Sequence, residues 1–276
     1  SGALRYAYMI AFLMVLAPLF QGAKTLPRLM RILIKNWVFW TVAGSIGFGC
    51  FYALICFSAD HAPWWVIAAT WQLTIIASLV VLIGFGRRFP KKVWFFSIIV
   101  FAGVLLVNLS QGDRITAVEL LLGALPVLAA AFCYPIGNQL VWEARNGNRH
   151  LPAIHHPLVD NPFNKVLLLS LGSVPFWLVL LLVVEPPPPS QGQFLNTALV
   201  ALLSGIIATS LFLLARTRAR KPSELAAVDA TQSSEVVFAM GAEWLFLSAP
   251  LPNLSASLGI ALVFVGLFFF IWYQES

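Results

Sequence analysis

The 276-residue chain predicts an all-α polytopic membrane protein whose transmembrane helices form two inverted repeats. Three observations predict it. Hydrophobic residues make up 60% of the chain and charged residues 10%, too little polar surface for a water-soluble domain. The apolar residues gather in nine stretches of membrane-crossing length. Trp64–Asn108 and Ala227–Ile271 read as one helix pair written twice at a shift of 163 residues, with opposite loop charge.

In order, the stretches are Ala3–Gln21, Trp37–Phe57, Trp64–Phe85, Val93–Ser110, Val118–Trp142, Asn164–Val184, Phe194–Leu214, Leu225–Leu247 and Leu254–Tyr273. Each falls in the roughly 17–25 residues that a helix needs to cross the hydrocarbon. The basic residues punctuate them on alternate sides. Lys24, Arg28, Arg31 and Lys35 follow the first span, and Arg87, Arg88, Lys91 and Lys92 the third. Arg145, Arg149 and Lys165 follow the fifth, and Arg216, Arg218, Arg220 and Lys221 the seventh. Fifteen of the 17 Lys and Arg therefore share one side, leaving Arg5 and Arg114 opposite. That asymmetry puts the C-terminus in the cytoplasm and the visible N-terminus outside, in a multi-pass protein of the inner or plasma membrane. The net charge of +6 is then topology and lipid contact, not nucleic-acid binding. Cys50, Cys56 and Cys133 lie inside apolar runs, so no disulfide framework is expected.

The repeat superposes Gly103 on Gly266 and Gln72 on Glu235. Its turn is basic in the first copy, Arg87–Lys92, and uncharged in the second, Ser248–Asn253. One turn earlier the charge is swapped the other way: Ser58–His61 has no positive residue, while its mate is the basic Arg216–Lys221. Copies with exchanged loop charge must lie upside down relative to each other. The chain is thus expected to be a single membrane domain, 1–276, with a first repeat over 1–112 and a second over 118–276. The second repeat holds five spans and the first shows four, so nine visible helices of an expected ten imply one further helix upstream. Pro186–Pro189 reads as a stiff extracellular connector, and Glu143–Asn164 as the longest cytoplasmic loop.

Glu235 is the sharpest candidate for chemistry. It stands mid-span, where a bare charge costs about 2.5–3.5 kcal/mol, so it is expected to face the bundle interior as a coupling carboxylate. Thr231 and Gln232 precede it by one helical turn and share its polar patch. Gln72, its mate in the inverted copy, is expected at the opposite wall of one cavity, beside Trp71. Pro135 and Gly137 are expected to interrupt the fifth span and aim Tyr134 and Asn138 at that cavity. Trp71 and Tyr134 suit a hydrophobic cation. The competing reading of each polar residue is a helix–helix hydrogen bond that only fixes packing. Glu243, Glu143 and Asp229 are secondary candidates; the first two lie near helix ends, where interfacial or ion-pairing roles cost little. His150, His155, His156 and Asp160 match no zinc spacing, so neither metal, cofactor nor catalytic residue is expected.

At these residues the chain resembles the drug/metabolite transporter superfamily, and within it the multidrug resistance efflux transporter branch. The segments that carry the likeness are Gly47–Ala53, Ala69–Ile75, Tyr134–Asn138, Ser173–Trp177 and Ala230–Ala239. Where many relatives have Glu-Pro-Val, this chain has Glu235-Val236-Val237. The resemblance implies ten helices with both termini cytoplasmic. It implies a transporter that exports small organic solutes or amphipathic cations, in exchange for protons. The alternatives are a metabolite or amino-acid exporter on the same scaffold, or a membrane-embedded lipid-modifying enzyme working through the His150–Asp160 loop.

Overall fold

The computed structural model describes residues 2–62, 64–89, 91–109, 117–147, 151–235, 238, 241, 245 and 253–274. Those residues are almost wholly helical, with no strand among them. That is what the bilayer demands, because a helix satisfies its backbone N–H and C=O groups within one segment. Among the described residues, five helices are long and apolar enough to span: Gly2–Gln21 (α1), Trp37–Ala59 (α3), Leu121–Asn146, Pro162–Val184 (α9) and Gln191–Arg218 (α10). The remaining helices are Thr25–Lys35 (α2), Trp64–Trp71 (α4), Thr74–Gly84 (α5), Lys91–Leu109 (α6), Pro157–Asp160 (α8), Pro222–Ala230 (α11) and Leu254–Gln274 (α12). Leu125–Asn146 (α7) is the α-helical part of the third long span, after a π-helical turn at Glu119–Ala124.

Three expectations change. The basic stretch after the first span is a helix, α2, not a loop. Leu26, Leu29, Met30 and Leu33 recur at helical spacing and pack inward, while Arg28, Arg31 and Lys35 stay exposed. Secondly, α7 runs unbroken through Pro135. Gly137 there serves close packing, since a Cβ on it would run into the Cα of Gly47 in α3. Thirdly, the loop expected over Glu143–Asn164 is shorter, because α7 continues to Asn146 and α8 adds a turn.

The chain divides into two compact units. Unit one is Ser1–Cys56 with Ile136–Arg218, and unit two is Phe57–Pro135 with Ala219–Ser276. Each unit therefore takes a piece from both predicted repeats.

Unit one is built around α9. Val166, Leu167, Leu168 and Leu169 are fully buried, against Met9 and Leu13 of α1, Trp40 of α3 and Ile206 and Leu213 of α10. Glycines let the backbones approach. A Cβ on Gly172 would clash with the Trp40 carbonyl oxygen, and one on Gly44 would lie 2.7 Å from the Ser173 nitrogen. The other face of α9 exposes Leu178, Val179, Leu182 and Val183, as suits a lipid solvent.

Unit two is organised by α6 and α12. A Cβ on Gly103 would lie 2.9 Å from the Leu262 Cβ and the Val263 nitrogen, while one on Gly266 would meet Val100 at 2.6 Å and Ile99 at 3.3 Å. Phe96 stacks on Phe269 at 5.7 Å. Partners fall in number along one helix as they rise along the other, so the two run antiparallel. At the start of α11, the amides of Arg220 and Lys221 donate to Glu224 Oε2 at 2.6 and 3.2 Å. These bonds hold the Glu224 carboxyl below its ordinary value.

Two outcomes follow from this packing. Gly172→Ala should lower stability by about 1–3 kcal/mol through overpacking. Gly192→Ala, with nothing within 4 Å of the new atom, should be neutral or slightly stabilising. Thermal unfolding in detergent compares them. Because the Glu224 pKa is depressed in the folded state, its contribution is present above the unfolded carboxyl value and is lost as pH falls through the folded value. Acidification should therefore lower the hydrogen-exchange protection factors of the Arg220 and Lys221 amides, measured against their intrinsic rates at each pH, and Glu224→Gln should remove most of that pH dependence.

Candidate functional site

The polar candidates of unit two sit where helices stop being regular. The predicted span Trp64–Phe85 is broken at Gln72 and Leu73, between α4 and α5. The Leu73 amide donates to the Thr70 carbonyl at 3.0 Å and the Ile75 amide to the Gln72 carbonyl at 3.2 Å. Both bonds reach back three residues, the tighter pattern of a 3₁₀ turn. The Thr74 hydroxyl donates to the Trp71 carbonyl, occupying an acceptor that the break frees. Gln72 itself is buried.

The predicted span Leu225–Leu247 breaks too. α11 ends at Ala230, and Thr231–Ser233 form a 3₁₀ turn before Ser234 and Glu235. The Thr231 hydroxyl donates to the Val228 carbonyl and the Ser234 hydroxyl to the Thr231 carbonyl, each at 2.7 Å. Short hydroxyl side chains thus absorb the acceptors at both interruptions. Thr231 and Glu235 are exposed residues and Gln232 is half-buried. The 3₁₀ turn resets the helical phase just before Glu235. Asp229, one turn earlier, is buried. Glu243 lies outside the described residues.

The ring of Trp71 meets that of Tyr134 edge-on, with centroids 5.9 Å apart and planes at 64°. The two aromatics expected in a cavity are therefore neighbours in unit two. Asn138, expected on the same helical face as Tyr134, belongs to unit one, as does Glu143.

In unit one the structure shows a polar cluster that sequence reasoning had spread over loops. Arg216 of α10 is buried, and its Nη2 donates to Gln139 Oε1 at 2.7 Å. Gln139 Nε2 in turn donates to Glu143 Oε1 at 2.9 Å. Glu143 is 2% exposed, so it is buried within unit one. Gln139 and Glu143, four residues apart on an apolar helix, were the available signal. Arg216 and Lys165 had been counted only as cytoplasmic charge. Arg5 is likewise buried: its Nη2 donates to Ser204 Oγ at 3.2 Å and its guanidinium lies 4.2 Å from the Tyr52 ring centroid.

The His150–Asp160 segment has local roles where it is described. His156 Nδ1 accepts from the Leu158 amide at 3.1 Å and caps α8. Asp160 accepts from Arg145 Nε at 2.6 Å. His155, His156, Arg145, Asn146 and Asp160 line an open cup of about 380 Å³. Among the described residues, no three His, Cys, Asp or Glu converge as metal ligands.

Comparison with known proteins adds the following. A family described as "EmrE: Putative multidrug resistance efflux transporter" matches residues 1–276. A Bacillus subtilis (strain 168) protein, "Uncharacterized protein YjlA", is 34% identical over 283 residues, covering 97% of this chain and 83% of that protein. A Shouchella clausii protein, "Uncharacterized 42.1 kDa protein in intracellular alkaline protease 3'region", is 34% identical over 248 residues, covering 85% of this chain and 62% of its own length. A solved crystal structure aligns over 96% of this chain and 84% of its own at a TM-score of 0.65 and 17% identity, a likeness of fold.

The buried bridge makes its own prediction. Gln139→Leu should deprive Arg216 and Glu143 of one charge-assisted hydrogen bond each and lower stability by about 1.5–3 kcal/mol, read as a drop in unfolding midpoint.

Proposed function

Since this chain belongs to the EmrE-type multidrug resistance efflux transporter family and is a multi-pass membrane transporter, we propose that it exports small organic solutes, amphipathic cations among them, in exchange for protons. Glu235 is the coupling carboxylate. Gln72, Trp71, Tyr134, Thr231 and Gln232 line the solute path.

The observation that carries this reading is the pair of helix interruptions. One falls at Gln72 and Leu73, the other at Thr231–Ser233 immediately before Glu235, and Gln72 and Glu235 are mates at the 163-residue shift. In inverted-repeat transporters, interrupted helices in corresponding segments of the two halves point to the substrate site; at the 163-residue shift the second break falls on 68–70, about one turn before the first. Irregular backbone at membrane depth survives only where protein or a wet cavity surrounds it. A mid-span Glu235 fits that setting, because a carboxylate facing lipid would be costly.

The inverted repeat gains support from unit two. Gly103 packs on Leu262 and Val263, and Gly266 packs on Ile99 and Val100. Subtracting 163 turns one contact set into the other, the reciprocity that a two-fold axis imposes. An antiparallel pair related in this way has its axis across both helices, and so in the plane of the membrane. The borders of the compact units repeat as well: 56/57 recurs at 218/219, within one residue of the same shift. In this reading the first repeat's basic turn and the C-terminus face the cytoplasm.

The coupling role is tested by proton release from full-length protein in weakly buffered detergent on addition of tetraphenylphosphonium. Wild type should acidify the solution and Glu235→Gln should not. Equal release from both would remove Glu235 from coupling. Transport retained in Glu235→Gln would favour a neutral or anionic metabolite as cargo. Cysteines placed at Arg88 and Asn253 should label from opposite sides of the membrane; labelling from one side would end the inverted repeat.

A further inference from the structure

Where α7, α9 and α10 meet in unit one, a small chamber presents more hydrogen-bond donors than acceptors. Lys165 of α9 and Asn138 of α7 are each 3% exposed. With Arg145, Arg216 and Thr217 they line a cavity of about 10 Å³, room for one water-sized particle. Lys165 Nζ donates to Thr217 Oγ1. The Thr217 hydroxyl proton is already committed to the Leu213 carbonyl at 2.7 Å, so it offers Lys165 a lone pair and no charge. An ammonium has three donors. Among the described residues no carboxylate lies within ion-pairing distance of Lys165, and Asp160 is engaged by Arg145.

The remaining lining groups deepen the deficit. Asn138 Nδ2 has no hydrogen-bond partner among the described residues. Arg145 Nη1 donates to the Thr217 carbonyl at 3.2 Å, and Arg216 Nη2 to Gln139 Oε1 at 2.7 Å. Among the described residues, three cations, Arg145, Lys165 and Arg216, stand with two nearby carboxylates, Glu143 and Asp160, one positive charge in excess. A buried ammonium without a counter-charge is expensive, and so is a buried amide N–H without an acceptor. One negatively charged acceptor between them cures both.

We infer that this cavity binds a single small anion of halide size, held by Lys165 Nζ and Asn138 Nδ2 in the field of Arg145 and Arg216. A phosphate or carboxylate needs more room than one particle occupies. A water would satisfy the amide and leave the charge. The site is built from unit one alone and does not rest on the export mechanism.

The test uses purified full-length protein in detergent. Unfolding midpoints are compared in sodium chloride, bromide and gluconate at equal ionic strength, together with the line width of the chloride NMR signal. Chloride and bromide should raise the midpoint saturably above gluconate, and protein should broaden the chloride line until bromide competes. Lys165→Met should weaken halide binding about tenfold or more, and Asn138→Leu by a smaller factor in the same direction. Arg28→Gln, on the exposed face of α2, should leave the halide effect intact. Equal midpoints in chloride and gluconate, with no broadening, would mean that the cavity holds water only. Loss of the effect in Arg28→Gln would reduce it to surface screening and overturn the site. If Lys165→Met does not fold, the wild-type titration and Asn138→Leu decide the matter.

Discussion

A backbone amide in hydrocarbon has no water to turn to, and most of this structure follows from that constraint. It makes the described residues helical and confines irregular backbone to a few places. It also removes the usual hydrophobic drive between helices, so close approach must come from small residues. Gly44, Gly47, Gly137 and Gly172 in unit one, and Gly103 and Gly266 in unit two, let main chains touch where any side chain would intrude. Where the helix does give way, at Gln72 and at Thr231–Ser233, neighbouring hydroxyls take up the carbonyls.

The two units differ in what they do with polarity. In unit two, the breaks at Gln72 and just before Glu235 each combine a tight turn with short hydroxyls, and an aromatic pair lies beside the first. In unit one, charge is buried and tied, Arg216 to Gln139 and Gln139 to Glu143, with Arg145 and Asp160 paired nearer the surface. The first arrangement suits a group that must change partners during a cycle. The second suits fixed structure, because breaking a buried charged bridge costs far more than it gains in motion.

Much of the fold was legible because membrane spans are written in long apolar runs. Ala3–Gln21 differs by one residue from α1, and Leu254–Tyr273 by one from α12. Trp71 and Tyr134 were legible as aromatics beside polar residues, but that their rings meet was not. Hydropathy could not reveal that Trp64–Phe85 breaks at Gln72, since 3₁₀ and α turns share the same composition. Pro135 misled in the opposite sense, because its helix is held straight by tertiary contact at Gly137. Lys165 and Arg216 were invisible as buried groups, since a basic residue near a helix end reads as topology until its neighbours are known.

The helix α2 presents leucines to the protein and Arg28, Arg31 and Lys35 outward. Such a ribbon prefers the boundary between acyl chains and headgroups, with its cations among phosphates. It would act as a float, fixing how deep the neighbouring spans ride. The working state of this protein would then respond to the anionic-lipid content and thickness of the membrane that surrounds it, as well as to its cargo.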